Sequence, residues 1–143
     1  MCKISKYALI LEIMLSSCGA APAPSITAPD DVMPYVNYYL NVTSSERLSS
    51  GTITVDAINA TWEGVCYQSR DGNPWAIHLN STYWTALSVN QKRALVAHEL
   101  THCLYASGLH SPSDTHYMYM ALTFTEGAEV LSTQIITYTK NLK

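Results

Sequence analysis

Two histidines one helical turn apart enclose a glutamate in Val96-Ala97-His98-Glu99-Leu100-Thr101-His102-Cys103-Leu104. On an α-helix, side chains at i and i+4 leave the same face, so the His98 and His102 imidazoles can reach one ion. Glu99 is rotated away from His98, which sets its carboxylate beside a water on that ion rather than on the ion itself. Zinc lowers the pKa of such a water towards ~7, and a neighbouring carboxylate can take its proton as it attacks a carbonyl. The segment therefore reads as metal-assisted hydrolysis, with His98 and His102 as metal ligands and Glu99 as general base. Two unrelated histidines on a partly exposed helix would be the plainer reading. No proline interrupts the run, and apolar residues flank it on both sides.

At these residues the chain resembles the zincin metallopeptidases, over Trp75 to about Met120. The resemblance implies Zn2+ as cofactor, a polypeptide substrate, and an edge strand along which the substrate lies extended. Trp75-Ala76-Ile77-His78-Leu79 takes that place by its order in the chain. A catalytic zinc site usually has three protein ligands and one open position. His110 is the preferred third ligand, because Gly108, His110 and Met118 are similar to the glycine, third histidine and Met-turn of metzincins. In metzincins the glycine and histidine lie nearer the second histidine; small bacterial lipoproteins with an H-E-L-G-H-C-like motif are similarly stretched, and Cys103 matches them. Asp114, in Asp114-Thr115-His116-Tyr117, resembles the aspzincin ligand. Glu126, in Phe124-Thr125-Glu126-Gly127-Ala128-Glu129, resembles that of gluzincins. Tyr117 or Tyr119 could donate to an oxyanion. His78 and His116 read more simply as sheet and loop residues.

These residues need a rigid helix and a sheet beside it. Ser88 and Gln91 fit a capping box at the start of the motif helix. That amphipathic helix should run to Leu104 or Tyr105 and stop before Gly108, which can adopt the left-handed geometry of a helix end. Asp30 or Asp31 can cap an earlier helix reaching about Val42. Thr52 to Ile58 alternates as a strand, and Gly64–Ser69 and Trp75–Leu79 flank the turn Arg70-Asp71-Gly72-Asn73-Pro74. Phe124 to Lys140 reads as a last helix with Val130, Leu131, Ile135 and Tyr138 inward. The order predicts one α+β domain with a small antiparallel or mixed sheet over residues 31–143, and the resemblance implies that it is zincin-like. Cys66 and Cys103 are either bridged or two buried thiols.

The 143 residues suit one domain, and a formal charge of −3 without Lys/Arg clusters excludes an electrostatic nucleic-acid surface. Nothing in the sequence specifies an oligomeric state. Lys3 and Lys6 precede an apolar run and then Leu15-Ser16-Ser17-Cys18, which resembles a bacterial lipobox. The expectation is a signal peptide over 1–18, a tether over 19–30 rich in Ala and Pro, and a membrane anchor through lipid on Cys18. Gly19 after the cysteine suggests the periplasmic face of an outer membrane. Plain cleavage near Ala20 or Ala21 would give a secreted form instead. The mature protein should begin at a lipidated Cys18 and enter the detergent phase on partitioning. A mature terminus at Ala20 or Ala21, with all protein in the aqueous phase, would refute the anchor.

Overall fold

The computed structural model describes residues 25–44, 49–58, 61–68, 74–118 and 124–142. Over these the chain forms β1 (Ile26–Thr27), α1 (Met33–Thr43), β2 (Gly51–Asp56), β3 (Gly64–Tyr67), β4 (Trp75–Asn80), α2 (Ser81–Ala86), α3 (Val89–Tyr105) and α4 (Ala128–Lys140). The architecture is α+β, as the sequence predicts. The lipobox, Cys18, Ser69, residues 70–73 of the expected turn, and Tyr119 lie outside the described residues.

The capping box at the start of α3 is formed in both directions. Gln91 N–H donates to Ser88 Oγ (3.3 Å) and Ser88 N–H donates to Gln91 Oε1 (3.0 Å). The helix then departs from the expected amphipathic pattern, because every residue from 94 to 101 is buried. It packs against α1, α4, β3 and β4, which leaves that stretch without a solvent-facing stripe. It ends at Tyr105, and the left-handed residue is Ala106 (φ 50°, ψ 31°), not Gly108. An alanine there costs roughly 1–2 kcal/mol. The early reversal turns the Ser107 carbonyl back onto His102.

The mixed sheet has the order β1-β2-β4-β3, with β1, β2 and β4 parallel and β3 antiparallel to β4. Two corrections follow. The segment expected to be tether supplies β1, whose Ile26 and Thr27 pair with Gly51 and Thr52. The strand Trp75–Asn80 is internal, bonded on both sides, so it has no free edge to offer a substrate. Among the described residues the edge beside α3 belongs to β3. The Cys66–Cys103 disulfide (Cα–Cα 5.6 Å) fastens that edge strand to α3 and closes a separation of 37 residues. Closing a loop of that length stabilises by roughly 4 kcal/mol in the chain-entropy model.

Smaller differences have local causes. Asp31 does not cap α1; its Oδ2 accepts from Trp84 Nε1 (2.8 Å), and Val32 stands at the cap without a side-chain bond. Asn80 caps α2, which the sequence reading lacked, by accepting from Thr82 N–H (3.1 Å). On α4, Leu131 and Ile135 are buried as expected, but Val130 is exposed. Phe124 belongs to the core without being helical.

Gly51 and Trp75 are direct partners across the parallel pair, and the Trp75 indole covers Gly51 so closely that a Cβ there would fall 2.1 Å from two ring carbons. The indole N–H donates to Ser49 O (3.0 Å), which prevents the ring from swinging away. Gly51→Ala should therefore destabilise the domain by roughly 1–3 kcal/mol, the cost of overpacking. Thermal melting of the two proteins tests this; an unchanged midpoint would mean the ring does not lie over Gly51.

Candidate metal centre

α3 carries His98 and His102 one turn apart, and their Nε2 atoms face each other at 2.9 Å. His110 arrives from the loop after α3, with its ring centroid 5.2 Å from that of His98 and 4.9 Å from that of His102. One ring nitrogen from each of the three lies within 4.8 Å of the others. Asp114 and Glu126 are both exposed and outside this group.

The orientation of the first two rings comes from backbone carbonyls. His98 Nδ1 lies 2.8 Å from Tyr117 O, and His102 Nδ1 bonds Ser107 O. A carbonyl only accepts, so each Nδ1 carries the proton and each Nε2 presents its lone pair. Two lone pairs 2.9 Å apart repel unless a cation lies between them, and an ion ~2.0–2.1 Å from each nitrogen fits that gap. The donor set thus fits a divalent metal, with backbone carbonyls holding the outer ring nitrogens as they do for metal-bound histidines. Burial, followed by neighbouring imidazoles, holds His98 down to about 3 despite its bond to Tyr117. Burial likewise lowers His102, with His110 adding to it. Both rings are therefore neutral, the form in which imidazole binds metal.

Glu99 is 4% exposed and lines the same cleft of about 390 Å³. One wall is residues 62–66, along the edge strand β3; the other is Leu95, His98, Glu99 and His102 of α3, and Ser107, Gly108 and His110 close the end. Burial, reinforced by the Glu63 carboxylate, pushes Glu99 up to about 8. It sits against Gly64 so tightly that a Cβ on that glycine would be 2.9 Å from its Oε1 and 3.1 Å from its Cγ.

Several other residues of the region are tied up in packing and hydrogen bonds. Thr101 donates to Ala97 O (2.8 Å), which leaves its oxygen to accept from the hydroxyls of Tyr39 (2.9 Å) and Tyr117 (3.2 Å). Tyr117 is 1% exposed and spends its hydroxyl on Thr101, so it does not serve as the oxyanion donor considered above. Met118 is fully buried in the hydrophobic core. His78 bonds Asp56 (2.9 Å) and Thr54 (3.1 Å) on the sheet, and His116 stacks on Tyr117. Sequence reasoning missed Gly64 and the carbonyls of Ser107 and Tyr117, having considered Tyr117 only for its hydroxyl. A glycine opening a strand was the one available signal; carbonyl partners leave none.

Gly64→Ala should displace the Glu99 carboxylate while leaving the three imidazoles in place. Hydrolytic activity should fall roughly 10²-fold, the scale of a 1 Å misplacement, with metal content and melting temperature nearly unchanged. Wild-type activity in that variant would show that the close approach has no bearing on Glu99.

A family model described as "Putative phage metallopeptidase" matches residues 39–122. The matched stretch contains all three histidines, Glu99, Gly64 and both bridged cysteines, and leaves α4 outside. No curated protein and no solved structure matches the chain. Matched over more than half of its length, and with a three-imidazole cluster beside a buried glutamate, the chain belongs to this phage metallopeptidase family.

Proposed function

We propose that the protein is a zinc peptidase in which His98, His102 and His110 hold the metal and Glu99 is the general base. The observation that carries this reading is the pair of Nε2 lone pairs turned towards each other, with His110 alongside and a buried carboxylate in the same cleft. Imidazole nitrogens in a three-ligand set suit zinc, which would supply Lewis acidity to water and to the scissile carbonyl.

The chain's own residues would do the rest. Among the described residues β3 is an edge strand, and its outer backbone groups would align an extended polypeptide by strand addition past the imidazoles. Gly64 keeps that strand close to Glu99 without a side chain between them. Glu99 would take a proton from the attacking water and return it to the departing amine. We further propose that the enzyme works outside the cytoplasm, anchored through lipid on Cys18. A disulfide joining β3 to α3 supports an oxidising compartment.

Zinc content and cleavage of a broad peptide library should be measured for wild type and variants. Glu99→Ala should keep its zinc and lose roughly 10²- to 10⁴-fold in hydrolysis. His98→Ala and His102→Ala should lose both metal and activity. His110→Ala should lower zinc occupancy strongly, whereas Asp114→Ala and Glu126→Ala should not. Full activity in Glu99→Ala would end the mechanism, and a zinc-loaded wild type that cleaves nothing would point to a binding protein instead.

A further inference from the structure

The loop that follows α3 has to place two parts of the centre, and residues 106–118 contain neither helix nor strand. His110 is on its first limb and the Tyr117 carbonyl, which orients His98, is on its second. The limbs are joined where Ser111 N–H donates to Met118 O (2.8 Å). Both are also gripped from outside by α4. Gln134 uses both ends of its amide on the second limb: Oε1 accepts from Tyr117 N–H (3.1 Å) and Nε2 donates to Thr115 O (3.1 Å). Tyr138, one helical turn further along the same face, donates its hydroxyl to Leu109 O (3.0 Å) on the first limb, beside His110.

We infer that Gln134 and Tyr138 are positioning residues of the metal centre, and that α4 sets the metal affinity of ligands it does not itself supply. This rests on the metal-site reading above. Gln134 holds the peptide on the amide side of Tyr117, and the carbonyl of the same residue receives His98 Nδ1–H, so one residue of loop separates the clamp from the ligand's partner. Rotation of that residue would turn the carbonyl from His98 and free the ring to spin. Tyr138 acts one residue from His110, which is exposed and therefore has little packing to hold it. Leu131 and Ile135 are buried on α4, which makes the helix a firm base for both grips. None of these α4 residues lies within the segment matched by the family model.

The test is zinc affinity of the full chain by competition with a chelator, with peptide hydrolysis measured at limiting and at excess zinc. Gln134→Met keeps the side-chain length and removes both amide bonds; Tyr138→Phe removes the hydroxyl alone; Gln134→Glu keeps the acceptor for Tyr117 N–H. Loss of an outer partner typically costs 10- to 100-fold in metal affinity. Gln134→Met should therefore bind zinc roughly 10-fold or more weaker, Tyr138→Phe weaker by a smaller factor, and Gln134→Glu close to wild type. Excess zinc should restore hydrolysis in the weakened variants with KM unchanged, a recovery that a generally loosened fold would not give. Thr137→Ala, at an exposed position on the same helix, should change nothing. Wild-type zinc affinity in both Gln134→Met and Tyr138→Phe would overturn the role of α4 while leaving the metal-site reading intact. Failure of the wild type itself to bind zinc would overturn that reading, and this inference with it.

Discussion

The buried stretch of α3 has little solvent to satisfy the polar groups it carries, and it carries three of them, on His98, Glu99 and Thr101. Each must find a partner inside the protein or remain at a cost of one to several kcal/mol, on the order given by transfer and mutational data. Thr101 finds the Ala97 carbonyl and two tyrosine hydroxyls. His98 finds the Tyr117 carbonyl on one nitrogen and only another imidazole on the other. Glu99 is pushed towards its neutral form. The site is thus the unsatisfied remainder of a buried helix, and a metal ion is the kind of partner that would complete it.

The surrounding structure serves that helix from three directions. From the sheet, β3 reaches α3 through the Cys66–Cys103 bond, and Gly64 on the same strand gives Glu99 its room. From α1, Tyr39 reaches down to Thr101 and ties the first helix to the centre of the third. From the C-terminal side, Gln134 and Tyr138 hold the loop that returns past the histidines. A disulfide is the strongest of these ties, and it sits beside His102 in the chain. Among the described residues β3 has a strand on one side alone, and the disulfide gives it a covalent tie to the helix behind it.

Much of the centre was legible along the chain because it depends on short-range geometry. The i, i+4 spacing of His98 and His102, the rotated Glu99 and the capping box at Ser88 follow from helical periodicity and local hydrogen bonding, and each is seen in the structure. The end of α3 falls at Tyr105, one of the two residues expected, and β3 pairs antiparallel with β4 as the turn between them implies. What lay further apart was legible only as alternatives. Cys66 and Cys103 were either bridged or free, and His110, Asp114 and Glu126 competed for one position.

Tertiary structure bridged Cys66 to Cys103, set His110 rather than Asp114 or Glu126 beside His98 and His102, and reversed some expectations. Parallel pairing with β2 put Trp75–Asn80 inside the sheet and left β3 at the edge, because strand order depends on how distant segments meet, not on their sequence order. Ile26–Thr27 joined the sheet although Ala- and Pro-rich chain precedes it, since two ladder partners were available beside Gly51. The left-handed residue fell on Ala106 because reversing there brings Ser107 to His102, a gain that local propensity does not register. Sequence by itself determined which side chains a helix would set on one face, a matter of a few adjacent dihedral angles. Only the folded chain decided which carbonyls would orient those imidazoles and which glycine would lie against Glu99, because such contacts join residues far apart in sequence and carry no residue-type signature.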